Sequence, residues 1–209
     1  DSDNGQEVFS FMPQALLPNG LAYLEDDPTN SDKVYGLDGA ITVYRQENPD
    51  DVDVTIEAGE GDKVYVYAGM RRGGGNYYAI DATNRSDPRL MWRIEGGSGE
   101  FLDLAQTWSA PKLAKVRWNC DTNGDNCADK LVLLFAGGYD PNHDVATLPT
   151  TGDAGAAVFM VDATTGALLW SAGRPDNPTL HDLVLSEMHN SIPADLTLAD
   201  MDNDGYLDL

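Results

Sequence analysis

Tyr77-Tyr78-Ala79-Ile80-Asp81-Ala82-Thr83, followed by Leu90-Met91-Trp92, returns as Val158-Phe159-Met160-Val161-Asp162-Ala163-Thr164, followed by Leu168-Leu169-Trp170. Each copy is an apolar run, an Asp-Ala-Thr turn and a short apolar segment ending in tryptophan. An apolar run of this length bounded by turn formers reads as a buried strand, and Thr164-Thr165-Gly166 supplies a tight connection to the next one. A second apolar stretch leads into each copy: Val64-Tyr65-Val66-Tyr67 before Ala68-Gly69, and Leu131-Val132-Leu133-Leu134-Phe135 before Ala136-Gly137. The two turn aspartates stand roughly 80 residues apart, as do two acidic loops at residues 121–129 and 200–208. Near-equal offsets mean one unit repeated in register.

The better-defined unit holds four strands, near residues 110–118, 130–136, 156–162 and 167–170. Four antiparallel strands per repeat make a propeller blade. The expected fold is therefore all-β: a fragment of a modified β-propeller with four-stranded antiparallel blades and calcium loops at the hairpin tips. Residues 1–33, with Pro13, Pro18 and Pro28, read as a connector or partial blade edge. Residues 34–106 read as a blade whose first connection is degenerate, the acidic 48–53 stretch and the turn Glu60-Gly61-Asp62 replacing a metal loop. Residues 107–187 form a blade with a metal loop and a long insertion at 141–155, and residues 188–209 start the next. Two blades and part of a third cannot close a ring, so a longer protein is expected.

The acidic loops give the chemistry. Asp200, Asp202, Asp204 and Asp208 occupy positions one, three, five and nine, with Gly205 at six and the Tyr206 carbonyl at seven. All-oxygen ligands suit a hard cation, and an all-protein cage suits Ca²⁺ better than Mg²⁺, which dehydrates reluctantly. Asp121, Asn123, Asp125 and Asp129 repeat the spacing, with Asn126 in the glycine's place and the Cys127 carbonyl at seven; asparagine tolerates the left-handed backbone. An EF-hand would need glutamate at position twelve; here that residue is Val132, inside an apolar strand, so the ion is expected at a hairpin tip. Without metal, mutual repulsion among the carboxylates of 200–208 should hold that loop open, and Ca²⁺ should order it.

Cys120 and Cys127 are the chain's two cysteines and bracket the first ligands of the upstream loop. A disulfide closing eight residues stabilises by about 2.5 kcal/mol through unfolded-chain entropy and would hold Asp121, Asn123 and Asp125 in an arc. Two cysteines fall short of a structural zinc site. A disulfide indicates an oxidising location, the periplasm or the cell exterior.

Thirteen Lys and Arg against 35 Asp and Glu give a net charge of −22. That balance opposes nucleic acid as a partner and an anionic membrane surface, and no stretch approaches the ~20 apolar residues of a membrane span. Arg71-Arg72-Gly73-Gly74-Gly75 lacks the Gly-Lys-Ser/Thr ending of a phosphate loop and reads as an inter-strand loop. His143, His181 and His189 lack metal-ligand spacing and are assigned to surface or capping positions; Ser191 lacks the context of a nucleophile elbow. Trp92 and Trp170 are expected to pack between blades.

Asp81-Ala-Thr…Trp92 and Asp162-Ala-Thr-Thr-Gly166-Ala-Leu-Leu-Trp170 resemble the tryptophan-docking repeat of quinoprotein-like propellers. Phe11-Met-Pro-Gln-Ala-Leu-Leu-Pro18-Asn, Tyr35-Gly-Leu-Asp38-Gly39 and Gly69-Met-Arg-Arg-Gly73-Gly-Gly-Asn-Tyr77-Tyr-Ala-Ile-Asp81, in that order, look like the C-terminal propeller of PilY-type type IV pilus tip and biogenesis proteins. The resemblance covers nearly the whole chain. It implies a secreted protein at the pilus tip or the cell surface, or one associated with the periplasm and outer membrane, acting in pilus assembly and surface adhesion. It implies pilins or minor pilins as partners, with a surface or cell receptor as a further one. It also implies calcium occupancy that tunes extension against retraction, and so twitching motility. Ligand roles carry over to Asp200, Asp202, Asp204, Asp208 and the Tyr206 carbonyl; the upstream site rests on spacing. No Arg-Gly-Asp motif is present, which leaves host-cell binding without support. Two other readings compete. A pyrroloquinoline quinone dehydrogenase also has such blades and calcium, but its calcium ligands are scattered; it has adjacent cysteines, and this chain offers no catalytic constellation. The non-enzyme reading is therefore preferred. The other is an integrin-like or lectin-like calcium propeller, and fold likeness alone decides neither.

Overall fold

β-Branched and aromatic residues favour extended chain, and the apolar runs all become strands. A computed structural model describes residues 5–25, 33–50, 55–121, 126–144 and 154–207. β1 (Ile41–Gln46), β2 (Lys63–Gly69), β3 (Asn76–Asp81) and β4 (Arg89–Glu95) form one antiparallel sheet in sequence order. β5 (Lys112–Trp118), β6 (Ala128–Ala136), β7 (Ala157–Asp162) and β8 (Leu168–Gly173) repeat that meander, and the two-residue β9 (Leu183–Val184) adds a parallel edge that the four-strand expectation did not include.

The repeat extends to register. Tyr65 pairs with Asp81 in the first sheet and Val132 with Asp162 in the second. The third and fourth strands of both sheets slip at the same place, between Ala79 and Ile80 and between Met160 and Val161. An extra residue there bends the strand and re-aims its side chains.

The main core lies between the sheets. Tyr67, Tyr77, Ala79, Trp92 and Ile94 of the first pack with Leu133, Phe135, Phe159 and Val161 of the second, all buried. Tyr77 meets Phe135 with ring centroids 4.3 Å apart, and Phe135 continues to Phe159 at 5.8 Å. Trp92 is the plug: its indole N–H donates to the Ala163 carbonyl at 3.0 Å. A Cβ on Gly166 would lie 2.9 Å from the indole, so this position, with φ +72°, needs glycine for both its turn and its neighbour.

The second sheet's other face carries Val116, Val132, Leu134 and Met160, with Leu196, Leu198 and Leu207 packed against them. Residues 188–207 form no strand among the described residues; they start from an isolated bridge between Gly138 and Ile192 and meet this face through those three leucines. The N-terminal connector covers part of the first sheet, where Leu16 is buried with Met70 and Tyr78. Ile41 and Val43 stay bare, 67% and 55% exposed. In a meander, the connections β1–β2, β3–β4, β5–β6 and β7–β8 share one end, which is where both acidic loops lie.

Candidate metal centre

Asp200, Asp202 and Asp204 each bring a carboxylate oxygen within 4.8 Å of the others, on exposed side chains. Ca²⁺–oxygen bonds of about 2.3–2.6 Å place opposite ligands roughly 5 Å apart, so the span fits one calcium ion. The backbone fits too. Asn203 at φ +61° and Gly205 at φ +88° turn the chain through the left-handed region, folding alternate carboxylates inward. The Asp204 amide donates to Asp200 and Asp202, the Gly205 amide to Asp200 and the Tyr206 amide to Asp204. Those donors and Arg117, 2.6 Å from Asp204 Oδ2, offset the repulsion that was expected to splay the loop. It is already curled.

Among the described residues the terminal loop is held by the upstream hairpin. The Leu207 amide donates to the Lys115 carbonyl of β5 at 2.8 Å, and the Tyr206 hydroxyl donates to Asp129 Oδ1 of β6 at 2.8 Å. That bond, with burial second, raises the Tyr206 phenol above its ordinary range. The terminal loop thus leans on the base of the upstream hairpin. Asp208 lies outside the described residues.

The upstream loop sits at the β5–β6 tip, as expected. Cys120 and Cys127 are disulfide-bonded with Cα atoms 4.0 Å apart, and the flanking Asn119 and Asn126 both adopt left-handed backbone, φ +52°. Asn126 Nδ2 donates to Asp121 Oδ2 at 2.8 Å, so the residue in the glycine's place also braces the first ligand position. Asp129 is exposed on β6, where Tyr206 reaches it. Asn123 and Asp125 lie outside the described residues.

The repeated aspartates are turn formers. Asp81 Oδ1 accepts from the Thr83 amide and hydroxyl. Asp162 Oδ1 accepts the same pair from Thr164 and the Thr165 amide, while Lys130 lies 2.7 Å from Oδ2. Burial opposes the Asp162 charge, but Lys130 and these donors outweigh it and hold its pKa down to about 2.

Of the surface and capping roles expected for His181, the surface one does not hold: the side chain is buried. Its Nε2 lies 3.0 Å from Asp103 and its Nδ1 3.1 Å from the Ser171 hydroxyl. Arg174 at 2.9 Å and Asn177 at 3.1 Å also hold the Asp103 carboxylate. The order Ser-His-Asp imitates a hydrolase triad, yet Ser171 and Asp103 have no exposed surface. A buried carboxylate needs paired donors, and this cluster ties the inter-sheet linker to the segment after β8. Gly173 makes room for it, since a Cβ there would meet the imidazole at 2.1 Å. No local motif marks Asp103, so only long-range pairing could have identified it.

Two meanders in one register, plugged together by a tryptophan and carrying acidic loops at one end, define a β-propeller-like repeat module. The particular relatives agree with the PilY-type resemblance. The chain is 30% identical over 116 residues to "Type IV pilus biogenesis factor PilY1 homolog" of Xylella fastidiosa (strain Temecula1), a match covering 56% of this chain and 8% of that protein. In fold it matches the crystal structure of the Pseudomonas aeruginosa PilY1 C-terminal domain with a TM-score of 0.55 at 19% identity, over 98% of this chain and 32% of that one. The chain thus spans under a tenth of the curated relative's length and about a third of the solved domain. No family model matches it.

Proposed function

We propose that this chain is a calcium-binding section of the propeller of a secreted type IV pilus biogenesis protein. The observation that carries the reading is the cluster of Asp200, Asp202 and Asp204 oxygens on the Gly205 turn, within a fold matching a PilY1 C-terminal domain. Ca²⁺ would be held by these carboxylates and the Tyr206 carbonyl, with Asp208 completing the set. The upstream loop, braced by its disulfide, would hold a second ion through Asp121, Asn123, Asp125, Asp129 and the Cys127 carbonyl.

Both loops share one end of the sheets, so ion binding would stiffen one connected surface there. Calcium-ordered loops switch contacts by changing which surface is presented, and here the contact is a pilin or minor pilin. Such a switch would tie calcium to pilus assembly, surface adhesion and the balance of extension and retraction. The disulfide favours an extracellular or periplasmic site for this, and among the described residues no helix is long and apolar enough to cross a membrane.

Thermal melting with and without CaCl₂ tests the reading. At a hundred times the dissociation constant, one site adds about 2.7 kcal/mol to the wild type. Asp202→Ala should lose the terminal loop's share and Asp121→Ala the upstream share. A calcium shift that is identical in the wild type and the doubly substituted chain would end the proposal.

A further inference from the structure

Arg117 precedes Trp118 at the end of β5 and points at the terminal loop. Its Nη2 lies 2.6 Å from Asp204 Oδ2, and its guanidinium carbon sits 5.0 Å from the Tyr206 ring centroid. Three ties join that loop to the upstream hairpin, and they differ in kind. The Tyr206 hydroxyl and the Leu207 amide use groups that a cation in the loop does not need. Arg117 uses one that it does. Asp204 Oδ1 already accepts the Tyr206 amide, so the guanidinium occupies the remaining oxygen at position five.

We infer that Arg117 is an intramolecular competitor that sets the calcium affinity of the terminal loop. The inference rests on the calcium reading of residues 200–208 proposed above. A tethered cation is present at high effective concentration, and a guanidinium left within several ångströms of a bound dication is repelled even at water-like dielectric. Ca²⁺ therefore enters by displacing Arg117 from Asp204, and the released guanidinium, already half-exposed, moves out toward solvent. The competition weakens the site and moves its response to higher calcium concentration. Because Arg117 belongs to the strand entering the disulfide loop, the occupied state of one loop is felt at the base of the other.

Calorimetric titration of CaCl₂ into the intact protein tests this, with Asp202→Ala defining the heat that belongs to the terminal loop. Arg117→Gln removes the competitor and should tighten that site roughly three- to tenfold. Arg117→Lys keeps the charge without the planar fork and should fall between wild type and Arg117→Gln, which guards against a simple folding defect. Raising NaCl should narrow the gap between wild type and Arg117→Gln, since screening weakens an exposed pair. Unchanged or weaker binding in Arg117→Gln, with the Asp202→Ala loss intact, overturns the competitor and leaves the calcium reading standing. If Asp202→Ala removes no heat from the wild type, both fall together.

Discussion

The same connection is clasped differently in the two sheets. Between β1 and β2, the Asp62 carboxylate reaches back to accept the Asn48 amide at 2.6 Å and the Glu57 amide at 2.7 Å, and the Asn48 side chain bonds the Glu60 carbonyl. Between β5 and β6, the Cys120–Cys127 disulfide closes the loop covalently. A backbone donor shielded from water needs a partner, and a loop can also be held by a covalent link; the two copies take one route each. The first clasp spends its carboxylate on amides. The second closes through sulfur, and Asp121 beside it accepts from the Asn126 side-chain amide.

The sharpest way to break the comparison is at the tryptophans. Trp92 is 8% exposed and hydrogen-bonded across the sheet interface, whereas Trp170, its counterpart, is only half-buried. Trp92→Ala should cost about 3–5 kcal/mol in urea unfolding, and Trp170→Ala clearly less. Equal losses would mean that the two faces of the second sheet are held alike. Next in size is the disulfide. Replacing Cys120 and Cys127 with serine should remove about 2.5 kcal/mol, with faster amide exchange confined to the β5–β6 tip and none at the β1–β2 turn. Exchange that quickens equally at both turns would show that the hairpins melt as one unit.

How far the sequence discloses this architecture follows from which interactions are local. The strands, the Asp-Ala-Thr turns and the cysteine pairing depend on residues close in the chain, and each is found where spacing placed it. The Asp200–Asp204 cluster is local as well, and its oxygens converge. What spacing could not show is contact across the repeat. Tyr206 meets Asp129 from 77 residues away, and His181 meets Asp103 from 78. Nothing near His181 announces a buried carboxylate, and nothing near Arg117 announces Asp204. For the same reason the path of residues 188–207 along the second sheet was not legible: Leu196, Leu198 and Leu207 are spaced for burial, but the face that receives them is built from β5, β6 and β7.

The smallest predicted effect separates the clasps by pH. The Glu57 and Asn48 amides, in that order, favour the ionised Asp62 carboxyl and lower its pKa; burial opposes them, and the Arg45 charge adds to them. A carboxyl whose pKa is lowered by folding contributes stability above its unfolded value, near 3.9, and loses it as pH falls through the lower folded value. The β1–β2 turn should therefore loosen progressively below about pH 4, while the upstream tip, whose closure is covalent, stays shut. The Asn48 and Glu57 amide resonances, followed through an acid titration, should move together with one midpoint below that of an unfolded aspartate. Asp62→Asn should abolish the step, because an amide cannot titrate, and reduction of the disulfide should leave it untouched. A midpoint at or above the unfolded value would show that those two hydrogen bonds are not what closes the first hairpin.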